Sequence, residues 1–77
     1  MKYNGWTNYE TWRIALEVFD GYEPEDTNLE SLEENLRSIA EEVILSSVEQ
    51  NTVAHGLLVS FLSEVNFREI AENLTNN

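Results

Sequence analysis

Carboxylates are the one chemically active group this chain carries in number. Its 77 residues hold fifteen Asp and Glu against four Lys and Arg, a formal net charge of −11. Adjacent pairs such as Glu33/Glu34 and Glu41/Glu42 are where acid–base chemistry would start. That chemistry needs one carboxyl raised in pKa by apolar surroundings, and these pairs lie on a charged helix face. The loop from Asp20 to Asp26 is acidic too, without the glycine and terminal glutamate spacing of a calcium-binding loop. There is no cysteine, hence no disulfide framework and no thiolate metal site. His55 is the single histidine, too few for a histidine-based metal cluster. No nucleophile constellation accompanies it, and no glycine loop is built to cradle phosphate. The expectation is a protein that is not an enzyme, with no catalytic residue, no cofactor and no metal.

What remains is the charge and where it falls. Glu23, Glu25, Asp26, Glu30, Glu33, Glu34, Glu41, Glu42 and Glu49 are nine of the fifteen acids, and Arg37 is the one base among them. On a helix, carboxylates at i and i+4 stand about 6 Å apart along the axis, a spacing comparable with that of backbone phosphates. A row such as Glu30, Glu34 and Glu41, with Glu33 and Glu42 alongside, could imitate a stretch of nucleic-acid backbone. The bland alternative is a solvated face that keeps a small protein soluble and monomeric. Direct nucleic-acid binding is excluded by the shortage of Lys and Arg.

The elements that would position these residues are helices. Asn4-Gly5 reads as a turn, because both residues tolerate positive φ. Thr7 with Glu10 has the form of a capping box, opening a helix that runs to about Asp20 and stops at Gly21. Tyr9, Trp12, Leu16 and Phe19 form its core stripe, and Ile14 and Val18 widen it. Gly21 and Pro24 punctuate the loop of residues 20–28. A second helix starts at either Thr27/Glu30 or Ser31/Glu34. It places Leu29, Leu32, Leu36, Ile39, Ala40 and Val43 at core spacing, and Val43-Ile44-Leu45 with Val48 is apolar on several sides.

After a break at Asn51-Thr52, Ala54, Leu57, Leu58, Phe61, Leu62 and Val65 give the most regular helical period in the chain. This nearly uncharged helix is expected to be central, with Gly56 serving close packing and Ser46, Ser47, Ser60 and Ser63 as small packing residues. Asn66 with Glu69 caps a last helix through Leu74, stapled by Val65 and Ile70, and Thr75-Asn76-Asn77 should fray. No period-two strand pattern or internal repeat is present. The fold class is all-α: one acidic domain over residues 1–77, a compact bundle of about four helices with short loops. No run of eighteen apolar residues and no apolar signal core occur, so a cytoplasmic protein without membrane contact is expected.

The string Tyr3-Asn4-Gly5-Trp6-Thr7-Asn8-Tyr9-Glu10-Thr11-Trp12 resembles the opening signature of a group of small proteins encoded by bacteriophages, plasmids and some bacteria. Val65-Asn66-Phe67-Arg68-Glu69-Ile70-Ala71-Glu72 is similar to their closing phrase. Together the two strings cover some eighteen residues. After the second Trp the group continues Asn-Val-Ala-Leu-Trp, whereas this chain has Arg13-Ile14-Ala15-Leu16-Glu17. The resemblance implies a setting in mobile elements, in the host cell cytoplasm, rather than an activity, and no catalytic residue comes with it. Read physically, the string is a capped helix start in which Trp6 and Trp12 anchor a core. Asn8 and Thr11 are placed to bind peptide groups of the lead-in. The alternative is that Trp6, Tyr9 and Trp12 present a binding surface.

Two functional readings follow. In the first, the protein inhibits a host defence nuclease, of a CRISPR or a restriction system. Glu23, Glu25, Asp26, Glu30, Glu33, Glu34, Glu41 and Glu42 would meet the basic nucleic-acid-binding surface of that host protein. In the second, it is a non-enzymatic interaction or assembly module, a homodimer among the options, acting through apolar contacts at Val43-Ile44-Leu45 and Val48.

Overall fold

The computed structural model describes residues 2–76. Four helices follow one another along the chain: α1 (Tyr9–Glu17), α2 (Leu29–Leu45), α3 (Val53–Ser63) and α4 (Phe67–Thr75). Among the described residues the only extended pairing is a single antiparallel bridge between Tyr3 and Trp6. It closes the expected turn, with Asn4 and Gly5 both at positive φ and paired Tyr3–Trp6 backbone bonds of 2.7 and 2.8 Å. The all-α expectation therefore holds.

Each helix starts on a side chain that accepts the amide three residues on. Asn8 takes the Thr11 N–H, Asn28 that of Ser31, Thr52 that of His55 and Asn66 that of Glu69. The Asn66 cap is as expected; Thr52 is a cap where the sequence suggested only a break. The first two correct the sequence reading: Asn8 replaces Thr7, and Asn28 replaces both Thr27 and Ser31. Asn8 wins because its carboxamide works twice, accepting from Thr11 and donating from Nδ2 to the Glu64 carbonyl at 2.8 Å. Asn28 wins because Asp26 Oδ1 accepts its N–H at 2.9 Å and so aims the chain into the helix.

Helix α1 also ends earlier than expected, at Glu17. Val18 caps it, and a separate turn over Phe19–Tyr22, with Gly21 at φ +80°, brings the chain round. Ending there lets Phe19 fold inward to nearly full burial. The buried face of α1 is Thr11 and Ile14, with Ala15 and Val18 half-buried, while Tyr9 and Leu16 face solvent and Trp12 is half-exposed. Of the expected face, Ile14, Ala15, Val18 and Phe19 turn inward while Tyr9 and Leu16 turn outward, and Thr11, counted as polar, is the buried residue that the spacing rule missed.

The core is made of Ile14, Phe19, Leu32, Leu36, Ala40, Leu62, Val65, Phe67, Ile70 and Ala71. Its centre is the pairing of α2 with α4, the most extensive in the molecule. Helix α3, expected to be central, is peripheral: it contributes only Leu62 to the fully buried set, and Val53, Ala54, Leu57 and Val59 are exposed. Val43 of α2 is exposed as well. Val65 and the apolar face of α4 fill the middle that α3 would have taken. A radius of gyration of 12.5 Å, against about 11.5 Å for a compact chain of this length, fits a helix laid along the outside.

The serines are not packing residues either. Ser46, Ser47, Ser60 and Ser63 are exposed. The Ser46, Ser47 and Ser63 hydroxyls donate to carbonyls three residues back, at 3.3, 2.5 and 2.6 Å. At the chain end, Thr75 closes α4, its hydroxyl donating to Ala71 O at 3.0 Å. Asn77, expected to fray, lies outside the described residues.

Candidate functional site

The acidic face begins in the loop between α1 and α2. Glu23, Glu25 and Asp26 line a shared hollow with Tyr22, Leu32 and Asn35. Glu23 and Glu25 are exposed; Asp26 is half-buried, one carboxylate oxygen taken by Asn28. Glu30, Glu34, Glu41 and Glu42 are exposed on α2. At 100° per residue, Glu30, Glu34 and Glu41 share a stripe roughly 16 Å long, and Glu42 points about 100° away from Glu41.

The stripe is interrupted. Arg37 sits on it between Glu34 and Glu41, held by its guanidinium 4.9 Å over the Phe67 ring and by Glu33 at 4.0 Å. Arg68 of α4 reaches the other oxygen of Glu33 at 3.9 Å. Glu33 is thus half-buried between two cations, less open to a partner than Glu30, Glu34, Glu41 and Glu42, which are exposed. The Arg68 contact comes from a helix distant in sequence, and nothing in the local pattern signals it.

A second constellation joins the two ends of the chain. Asn8 Oδ1 accepts from the Thr11 N–H at 2.9 Å and from the Thr11 hydroxyl at 2.6 Å. The Thr11 oxygen in turn accepts the Asn66 N–H at 2.9 Å. Glu69, instead of bonding back to its own cap, accepts the Thr7 N–H at 3.0 Å. The polar residues of the opening string therefore bind peptide groups of the α3–α4 junction, not of the lead-in. Thr11 is the buried polar residue of the structure, and among the described residues no buried side-chain N or O lacks a partner.

Of the opening aromatics, Trp6 packs against the core, and Tyr3, Tyr9 and Trp12 gather at the surface. Tyr3, carried back by its turn, meets the Tyr9 ring edge-on at 5.2 Å and Trp12 at 5.1 Å; Tyr9 meets Trp12 at 5.7 Å and Phe61 of α3 at 6.2 Å. Beside them runs a groove lined by Tyr9, Arg13, Ile14, Glu17, Ile44, Leu58 and Phe61. At its rim Arg13 pairs with Glu17 at 2.7 Å and donates to the Tyr9 hydroxyl at 2.8 Å. The Tyr9 hydroxyl first, and the Glu17 carboxylate second, hold the guanidinium above its ordinary pKa. Neither the groove nor the Tyr3 contact was legible in the sequence.

His55 is half-buried in the first turn of α3. Among the described residues no three or more His, Asp or Glu side chains converge to hold a metal ion. No described helix is long and apolar enough to cross a membrane. What the fold and its surfaces define is a small all-α bundle with one acidic and one apolar face. No family model, no curated protein and no solved structure matches the chain.

Proposed function

We propose that the protein acts by binding another protein through its acidic face and inhibiting it. The face consists of Glu23, Glu25 and Asp26 in the loop and Glu30, Glu34, Glu41 and Glu42 on α2. Its complement is a basic surface that normally holds nucleic acid, which the acidic face occupies in nucleic acid's place. A host defence nuclease, of a CRISPR or a restriction system, is the class of target that the mobile-element resemblance favours.

The observation carrying this reading is the segregation of charge. The acids concentrate on exposed positions of the loop and α2, whereas no Asp, Glu, Lys or Arg occurs from Gln50 to Ser63. A coat that served solubility alone would have no reason to leave one whole helix bare. The test is an affinity capture from the natural host at low and high salt, followed by competition with nucleic acid. Binding that falls steeply with salt and excludes nucleic acid supports the reading. Binding indifferent to salt, with nucleic acid still held by the partner, overturns it.

A second reading, an assembly module acting through apolar contacts, is favoured by the exposure of α3. The segment expected to carry it is largely engaged elsewhere: Ile44 and Leu45 pack against the core, and Val48 is half-buried.

A further inference from the structure

Helix α3 carries two complementary shapes side by side. Its outward edge is a ridge, on which Val53 and Leu57, one turn apart, are 80% and 66% exposed. Adjacent to it, Leu58 and Phe61 form one wall of the groove against α1, a hollow of about 360 Å³ closed by Tyr9, Ile14 and Ile44. Leu57 and Phe61 are themselves one turn apart, so ridge and groove are continuous.

These features select what covers them. The groove wall is apolar, and its two charged rim residues are already paired with each other, so it offers no free counter-charge to a basic or acidic partner. A second copy of the chain brings both a ridge for this groove and a groove for this ridge. About a two-fold axis the exchange is reciprocal, which is the definition of a self-complementary interface. The charge distribution points the same way. Each chain carries −11, and two copies attract only where like charges are not set opposite each other; the fourteen residues from Gln50 to Ser63 provide that surface. Gly56, next to Leu57, has no heavy atom within 4 Å of where a Cβ would stand. Its bare backbone is therefore not used for packing inside the chain.

We propose that the protein forms a two-fold symmetric homodimer through α3, with Val53 and Leu57 of each copy seated in the groove of the other. This goes beyond the acidic-face reading and responds to salt with the opposite sign, because salt screens the repulsion between two negatively charged chains.

Sedimentation equilibrium of the full chain, from about 1 to about 300 µM at about 0.05 and 0.5 M salt, tests it. The expected result is a dimer whose association tightens with salt. Leu57→Glu or Val53→Glu should weaken it by about tenfold or more. Both residues are exposed, so the far-UV circular dichroism should be unchanged. Leu16→Glu, an exposed apolar residue off ridge and groove, should dimerise normally. A monomer throughout the range overturns the proposal, as does a dimer that survives both α3 substitutions. A monomer that binds neutral lipid vesicles or a different protein, and loses that binding with Leu57→Glu, gives the face to another occupant and overturns it too.

Discussion

The hydroxyl of Thr11 accepts the backbone N–H of Asn66, 55 residues further along the chain, at 2.9 Å. The same hydroxyl donates to the cap residue Asn8. One buried oxygen therefore ties the start of α1 to the start of α4, and both helix caps lean on it.

Thr11→Val keeps the shape and removes both hydrogen bonds. It leaves the Asn66 amide and the Asn8 carboxamide short of a partner, at a cost of about 1–3 kcal/mol. In a domain of this size the midpoint of thermal unfolding should fall by roughly 4–8 °C per kcal/mol. Thr11→Ser retains the hydroxyl and should lose about 1 kcal/mol for the missing methyl group. Thermal and urea denaturation of the two variants separate the polar contribution from the packing one.

Gly56→Ala should stabilise the monomer. The position is helical, its φ is not positive, and nothing lies within 4 Å of the added carbon. The expected gain is about 0.5–1 kcal/mol, read as a higher urea midpoint with an unchanged slope. A loss of stability would mean that the backbone at Gly56 is contacted by something other than its own chain.

Charge reversal on α2 should be graded by position. Glu30→Lys, Glu34→Lys and Glu41→Lys should each weaken capture of a basic partner, by about tenfold for a contact worth about 1.4 kcal/mol. Glu33→Gln should change partner binding little, because Arg37 and Arg68 already face that carboxylate. Its effect belongs to stability, within about 1 kcal/mol for half-exposed ion pairs. Titration of each variant against the captured partner would show the gradient or its absence.

Gly5→Val should open the Tyr3–Trp6 turn, where φ is +89°, a conformation costing a side chain about 1–2 kcal/mol. Tyr3 would leave Tyr9 and Trp12, so tryptophan fluorescence should shift to the red. The unfolding midpoint should fall, by roughly 4–8 °C per kcal/mol of that cost, because Trp6 on the same turn packs against the core.

How much of this was legible in the residues depended on whether the signal was local. The turn at Asn4-Gly5 and the cap at Asn66 were read correctly, because a four-residue window holds donor and acceptor alike. Asn8 was passed over for Thr7 because its second partner, the Glu64 carbonyl, lies 56 residues away. Periodicity found α3 as a helix and misplaced it as the centre: Leu57 and Leu62 look the same to a spacing rule, and only the tertiary arrangement exposes the first and buries the second. Most of the acidic residues were located by composition alone. The second ion contact of Glu33 needed Arg68, from a helix distant in sequence.

The hydrogen bonds from Thr7 to Glu69, from Asn8 to Glu64 and from Asn66 to Thr11 also constrain the order of events in biosynthesis. Helix α1 is made some fifty residues before the partners that fix its start. During translation the Thr7 amide, the Asn8 carboxamide and the Thr11 hydroxyl are without these partners until residues 64–69 have been made. Such wide sequence separation slows folding relative to a bundle of local hairpins. A chain interrupted before Glu64 would lose the middle of its core and the lock on its beginning in the same stroke.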